Sequence, residues 1–93
     1  MRIIKRTGKF KRDFKRLKAT PQHRDINSVL VPVLKRLVED LPLPPKQGDH
    51  PLSGEWKDHR DCHIKPDLVL IYRKPDAEVL QLVRMGSHSE LGL

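Results

Sequence analysis

The sequence predicts an α+β fold in which two N-terminal helices pack on a small, mainly antiparallel sheet, in the order β-α-α-β-β-β. Three observations support this. Apolar residues recur with helical spacing between residues 9 and 41, they form short alternating or continuous runs from residue 60 onward, and Pro, Asp and Gly residues separate these runs. The 93 residues, 37% of them hydrophobic, suffice for a single domain over residues 1–93 with a small core.

A first strand and a basic helix are predicted at the N-terminus. Residues 2–5 (RIIK) are a short β-branched run, and Thr7 and Gly8 end it and start a helix over residues 9–19. Three apolar residues at i, i+4 and i+7 share one face of this helix: Phe10, Phe14 and Leu17. The rest of its surface is basic: Lys9, Lys11, Arg12, Lys15, Arg16 and Lys18.

The main core helix is predicted from Thr20 to Leu41. Thr20 followed by Pro21 is typical of an N-cap and a first helical position. Apolar residues then repeat for over four turns: Ile26, Val29, Leu30, Val33, Leu34, Leu37, Val38 and Leu41. Pro32 lies off this stripe, so we expect a kink with the proline facing solvent; two shorter helices are the alternative. The proline-rich residues 41–48 predict an extended connection that continues as a loop.

Three strands joined by short turns are predicted over residues 60–65, 68–73 and 78–85, forming an antiparallel meander. In the first of them, alternation sets one group of side chains against another: Arg60, Cys62 and Ile64 on one face, Asp61, His63 and Lys65 on the other. The S-x-x-E pattern at residues 87–90 is a capping box, which predicts a brief helix starting at Ser87.

The net charge of +7 is concentrated at the N-terminus, since the segment 2–18 contains a single acid, Asp13, among its Lys and Arg residues. Concentrated charge of one sign indicates a partner of the opposite sign, here a nucleic acid or an acidic protein. A solvated face that aids solubility is the alternative.

No segment predicts membrane insertion or secretion. The longest apolar runs fall far short of the ~20 residues that a membrane span needs, and no apolar stretch follows the basic N-terminus. The only cysteine, Cys62, excludes an internal disulfide. We therefore expect a cytoplasmic protein without a membrane partner.

Residues 50–67 (HPLSGEWKDHRDCHIKPD) concentrate ionisable side chains, which form either a solvated loop or a site because burying them unpaired is costly. RNA cleavage without a metal needs a base for the 2′-hydroxyl, an acid for the 5′-oxygen and cations around the phosphorane. Histidine, with an unperturbed pKa of ~6.5, suits the first two roles. We expect three histidines to converge, although each alone is an ordinary surface residue: His50, His63 and His88. Arg84 is expected to supply the cation.

The neighbouring polar residues admit more than one interpretation. Asp67 is either a partner that orients or charges a histidine or a turn residue bonding its own backbone. Asp61 has an alternative as an ion-pair partner of Arg60 or Lys65. Cys62 is expected to fill the core rather than act as a nucleophile.

A zinc site is disfavoured, because the adjacent Cys62 and His63 point to opposite faces of a strand and no C-x-x-C spacing occurs. Trp56 is expected to pin its loop, with base stacking as the alternative.

Three linked patterns carry a family resemblance: D-H-P-L-x-G-x-W at residues 49–56, R-D-x-H-x-x-P-D at 60–67 and R-x-G-x-H at 84–88. Together they resemble the RelE superfamily of bacterial toxins, and within it the YafQ branch, over about residues 49–91. The N-terminal helices match in arrangement and basic character only. The resemblance implies the RelE-like microbial RNase fold. It also implies a type II toxin that cleaves mRNA in the ribosomal A site without a cofactor, and that a cognate acidic antitoxin holds inactive.

Carried onto matching positions, the family's catalytic set is His50, His63, Asp67, Arg84 and His88, with Asp61 in support. The resemblance implies that His88 donates a proton to the leaving group, that His50 or His63 takes the 2′-proton, and that Arg84 braces the phosphate. Two aromatic positions of the family are leucines here, Leu68 and Leu91, so base stacking and codon preference do not transfer.

Two other functions remain open at the level of sequence. A catalytically silent module that binds RNA or the ribosome, including its rRNA, would need only the basic helix. A partner for an acidic peptide would keep the basic face without RNA. The histidines and aspartates favour the endoribonuclease, since a binding module has no need of them.

Overall fold

The centre of the structure, a computed structural model that describes residues 1–93, is a five-stranded sheet. The strands are β1 (Ile3–Arg6), β2 (His50–Pro51), β3 (Arg60–Lys65), β4 (Leu68–Arg73) and β5 (Val79–Gly86). Their order in the sheet is β1-β5-β4-β3-β2; β1 is parallel to β5, and the other neighbours are antiparallel. The α+β class and the antiparallel meander are confirmed. Strand β2, however, lies where a loop was predicted, because His50 and Pro51 pair with Asp61 and Arg60.

Three helices complete the fold: α1 (Gly8–Lys18), α2 (Ile26–Val38) and α3 (His88–Leu91). The prediction of a helix start at Thr20 is wrong, because residues 21–23 form a separate 3₁₀ turn and the Thr20 hydroxyl donates to the Arg16 carbonyl. The predicted end at Leu41 is also wrong. Asp40 adopts a positive φ of 57°, which stops the helix and leaves Leu41 47% exposed. Pro32 lies exposed inside the single helix α2, as expected.

Two apolar clusters lie on opposite faces of the sheet. The larger one joins α1 and α2 to the sheet through residues that include Phe10, Leu30 and Leu70. The smaller one is built on three buried residues, with Leu52, Trp56 and Val83 packed against them: Val69, Ile71 and Leu91. Trp56 pins its loop as expected, since its Nε1 donates to the Leu91 carbonyl at 3.2 Å.

A β-bulge between His63 and Lys65 redirects the end of β3. Lys65 pairs with Leu68 of the larger cluster, and its Nζ donates to Asp25 at 2.6 Å and to the carbonyl of Gln22 at 2.9 Å. The prediction that Lys65 shares a face with Asp61 and His63 is therefore wrong: alternation fails where the bulge inserts an extra residue.

No helix in the structure has the length and apolar character needed to cross a membrane.

Candidate active site

Two of the three predicted histidines are in direct contact. His63 on β3 and His88 at the first position of α3 have their Nε2 atoms 3.1 Å apart. A hydrogen bond at this distance needs one Nε2 to donate and the other to accept, so the two atoms share a single proton. If both Nε2 atoms carried a proton, the two N–H groups would point at each other and repel. The pair can therefore give up or take one proton at a defined place.

The position of His88 is fixed by the capping box, which the structure confirms. The Glu90 backbone N–H donates to the Ser87 hydroxyl at 3.2 Å, and the Ser87 backbone N–H donates to Glu90 Oε1 at 3.1 Å. Arg16 of α1 reaches the other carboxylate oxygen of Glu90 at 2.8 Å. The hydrogen bond from the Ser87 backbone and the nearby Arg16 lower the pKa of Glu90. The short helix α3 is thus tied to α1 by an ion pair.

The third histidine, His50, lies across β2 and β3 from Asp61. Its Nδ1 is 2.7 Å from the Gly48 carbonyl oxygen and 2.9 Å from Asp61 Oδ1. Both neighbours are acceptors, so Nδ1 carries the proton; it donates to Gly48, and Asp61 Oδ1 receives no hydrogen bond. In the neutral ring, Nε2 then holds the free lone pair. His50 is therefore set up to accept a proton at Nε2.

Asp61 is a buried carboxyl, 2% exposed, surrounded by imidazoles. Burial raises the pKa of Asp61, and the charges of His50, His63 and His88 oppose that rise. All three histidines are thus close enough to act on one carboxyl group. Its alternative role as a partner of Arg60 or Lys65 is not seen, because these residues bond to Asp49 and Asp25.

The turn before His50 contacts both His50 and His63. Gly48 has a positive φ of 54°, and a Cβ there would lie only 3.0 Å from His63 Nδ1. The next residue, Asp49, is anchored: its Oδ1 accepts from the Tyr72 hydroxyl at 2.7 Å and from Arg60 Nε at 3.1 Å. Burial, with the bond to Asp49, raises the pKa of Tyr72. Sequence reasoning missed this anchor, although a glycine directly before Asp-His was a signal of a special turn.

Arg84 on β5 is held in place by Asp13 of α1. Its Nε donates to Asp13 Oδ2 at 2.7 Å and its Nη2 to Oδ1 at 3.3 Å, while the Met85 backbone N–H donates to Oδ2 at 3.1 Å. Hydrogen bonding to Asp13 raises the pKa of Arg84. Nη1 forms no hydrogen bond within the chain. Sequence reasoning missed Asp13, although this lone acid lies at i+3 from Phe10, on the buried face of a basic helix.

The remaining predicted residues lie around this centre. Asp67 is exposed in the β3–β4 turn, forms no hydrogen bond to a histidine, and lines a cavity of about 290 Å³ together with Ser87. Cys62 is fully buried, and burial raises the pKa of its thiol to about 12, so it fills the core as expected. No three His, Cys, Asp or Glu side chains are grouped to hold a metal. Leu68 and Leu91 are both buried.

The basic residues of α1 are all exposed: Lys9, Lys11, Arg12, Lys15, Arg16 and Lys18. Arg16 alone among them forms ion pairs, with Glu90 and, at 3.6 Å, with Asp13. The others leave a cationic surface available to an anionic partner.

The chain is similar to known bacterial toxins along nearly its whole length. Residues 2–92 match the family described as bacterial toxin of type II toxin-antitoxin system, YafQ. The mRNA interferase toxin YafQ of Escherichia coli strain K12 is 38% identical over 90 residues, which cover 97% of this chain and 95% of that protein.

Two solved structures share the fold as well. The crystal structure of the E. coli DinJ-YafQ complex contains a chain that is 38% identical, with a TM-score of 0.82 and 98% of both chains covered. A metal-bound toxin from Helicobacter pylori is 44% identical, also with a TM-score of 0.82, covering 98% of this chain and 99% of that one.

Proposed function

The chain belongs to the YafQ family of toxins in type II toxin–antitoxin systems and is an mRNA interferase, an endoribonuclease, and we propose that it cleaves mRNA in the ribosomal A site by metal-free acid/base chemistry. The observation that carries this proposal is the contact between His63 and His88, beside His50 and Asp61 on the same side of the sheet. A proton acceptor and a proton donor are then present together, as cleavage through the 2′-hydroxyl requires.

In the proposed reaction, His50 Nε2 takes the proton of the 2′-hydroxyl, and the 2′-oxygen attacks the neighbouring phosphorus. His88 Nε2 gives its proton to the departing 5′-oxygen, which leaves a 2′,3′-cyclic phosphate and a 5′-hydroxyl. Asp61 stabilises the imidazolium that forms on His50.

His63 has a different part in this assignment. Its Nε2 accepts from His88, which keeps the donor proton of His88 on Nε2 until the 5′-oxygen replaces His63 as acceptor. The alternative assigns His63 as the base. His63→Ala and His50→Ala then differ in outcome: the variant that lacks the base should lose roughly 10²- to 10⁴-fold in single-turnover cleavage rate, whereas the other variant should lose less.

Arg84 and Asp67 have supporting roles in the proposed reaction. Arg84 is held at Nε and Nη2 by Asp13, so its Nη1 side is available to the negative charge that develops on the phosphorane. Asp67 lines the cavity beside Ser87, the N-cap of α3, and its proposed role is to orient the segment that carries His88.

The basic surface of α1 is proposed to bind rRNA phosphates, and a cognate acidic antitoxin is the proposed inhibitor, in the cytoplasm. The E. coli relative is seen in a complex with DinJ, which supports an antitoxin for this chain. Replacing Lys11, Arg12 and Lys15 together by Ala should flatten the dependence of ribosome affinity on salt, with each lost contact reducing the log–log slope by about 0.7 to 0.9. An unchanged slope would assign this surface to another partner or to solubility.

Purified protein added to a translating extract tests the proposal. We expect cuts in translated mRNA with cyclic or 3′-phosphate ends, unaffected by EDTA. Because the H. pylori relative is metal-bound in its crystal structure, the same reaction should be repeated with added copper and zinc after chelation. Activity lost on chelation and restored by metal would refute the metal-free mechanism. Ribosome binding without any cleavage would favour a catalytically silent module.

A further inference from the structure

A second cleft adjoins the histidine pair on the side away from α3. It has a volume of about 470 Å³ and lies between α2, the bulged end of β3 and the 3₁₀ turn Pro45–Gln47. Its lining includes His63 itself, together with Val29, Pro32, Lys46, Gln47 and Lys65. The volume is within the ~300–1,000 Å³ of typical small-molecule sites. The cleft is therefore large enough for one nucleotide next to the proposed scissile phosphate.

The walls of the cleft differ in chemistry. Val29 and Pro32 of α2 supply an apolar surface, while the Gln47 side chain forms no hydrogen bond within the chain. Lys46 is exposed and forms no ion pair, whereas Lys65 is already bonded to Asp25. An apolar wall, an amide that both donates and accepts, and an available cation match a nucleobase and its phosphate.

The backbone of the turn that carries Gln47 is held by two hydrogen bonds. The Gln47 backbone N–H donates to the Pro44 carbonyl at 2.9 Å, and the Gly48 N–H donates to the Pro45 carbonyl at 3.1 Å. Gly48, the next residue, packs against His63. A base bound at Gln47 would thus sit at a fixed position beside the catalytic groups, as selective recognition requires.

We propose that this cleft binds the nucleobase next to the scissile phosphate, that Gln47 reads its hydrogen-bonding edge, and that Lys46 contacts its phosphate. The inference rests on the proposed RNA cleavage and adds to it a determinant of which sequence is cut.

The first test compares the base composition around the cut sites, mapped by sequencing, for the wild type and Gln47→Ala. One hydrogen-bonded base contact contributes about 0.5–1.5 kcal/mol, so the preference at one flanking position should weaken by roughly 2- to 10-fold while cleavage continues. Asn27→Ala removes an exposed amide of α2 outside the cleft and is the matched control. An unchanged preference in Gln47→Ala, or the same change in Asn27→Ala, would overturn the proposal.

The second test does not depend on cleavage. The side-chain amide signal of Gln47 is followed by NMR while 2′-deoxy trinucleotides, one for each base, are added to the wild-type protein. We expect a shift whose apparent affinity depends on the base and falls in Lys46→Gln but not in Lys35→Gln. A base-dependent shift without mRNA cleavage would uphold the cleft and refute the proposed reaction. Cleavage with no shift of the Gln47 amide would uphold the reaction and refute the cleft, and failure of both would overturn both.

Discussion

The variant Asp13→Ala tests whether the buried carboxylate of Asp13 holds Arg84 in place. The change removes two hydrogen bonds from Arg84 and one from the Met85 backbone. Breaking a buried ion pair costs about 3–5 kcal/mol. The Arg84 side chain is 24% exposed, so part of its charge returns to water. We therefore expect a loss of unfolding free energy somewhat below that range, about 2–3 kcal/mol.

Urea unfolding followed by the fluorescence of Trp56, the only tryptophan, measures this loss. Asp13→Asn keeps an acceptor and the shape of the side chain, and should lose about 1–2 kcal/mol. Glu39→Ala removes an exposed acid that forms no ion pair and is the control, expected within ~0.5 kcal/mol of the wild type.

A double-mutant cycle separates the ion pair from the backbone bond. In an Arg84→Gln background, Asp13→Ala should cost at least ~1 kcal/mol less than in the wild type. A loss below ~1 kcal/mol for Asp13→Ala alone, or strictly additive effects in the cycle, would refute the claim that Asp13 holds Arg84.

Three further outcomes are expected. His88→Gln removes the transferable proton, so the single-turnover cleavage rate should fall by roughly 10²- to 10⁴-fold while ribosome binding persists; a near wild-type rate would remove His88 as the acid. Gly48→Ala places a methyl group against the neighbouring imidazole at a left-handed φ, so stability should fall by at least ~1–2 kcal/mol and cleavage with it; unchanged urea unfolding and rate would contradict the observed close approach. Hydrogen bonds from Lys74 and Arg2 lower the pKa of Asp40 from 3.8 to about 2, so its contribution to stability is present above pH 4 and is lost as the pH falls toward 2; urea unfolding at pH 5 and pH 2.5 should show a smaller acid loss in Asp40→Asn, and equal losses would exclude this ion pair as a source.

Local patterns predicted the strands and the capping box well. The bounds of β3 and β4 agree with the predicted ones to the residue, because alternation and an apolar run mark them and Pro66 marks the turn between them. The cap at Ser87 was predictable because both of its partners lie within four residues of sequence.

Long-range contacts were beyond sequence reasoning. The bond between Asp13 and Arg84 joins residues 71 positions apart, and the bond between Tyr72 and Asp49 spans 23. The bulge in β3 has no local marker, since neither His63 nor Lys65 is a glycine or proline. The convergence of the histidines was expected from residue types, but the contact of His63 with His88, rather than with His50, depends on how α3 returns over the sheet.

The parallel pairing of β1 with β5 has a consequence for the order in which the protein is made. Strand β1 pairs only with β5, the last strand in the sequence, so that Ile3 lies beside Val79. During synthesis the segment of β1 therefore has no partner strand until β5 has been translated, and such late, distant pairing slows folding. His88 follows β5 and is made later still. In the proposed reaction His88 is the acid, so the nascent polypeptide cannot cleave mRNA before His88 itself has been synthesised.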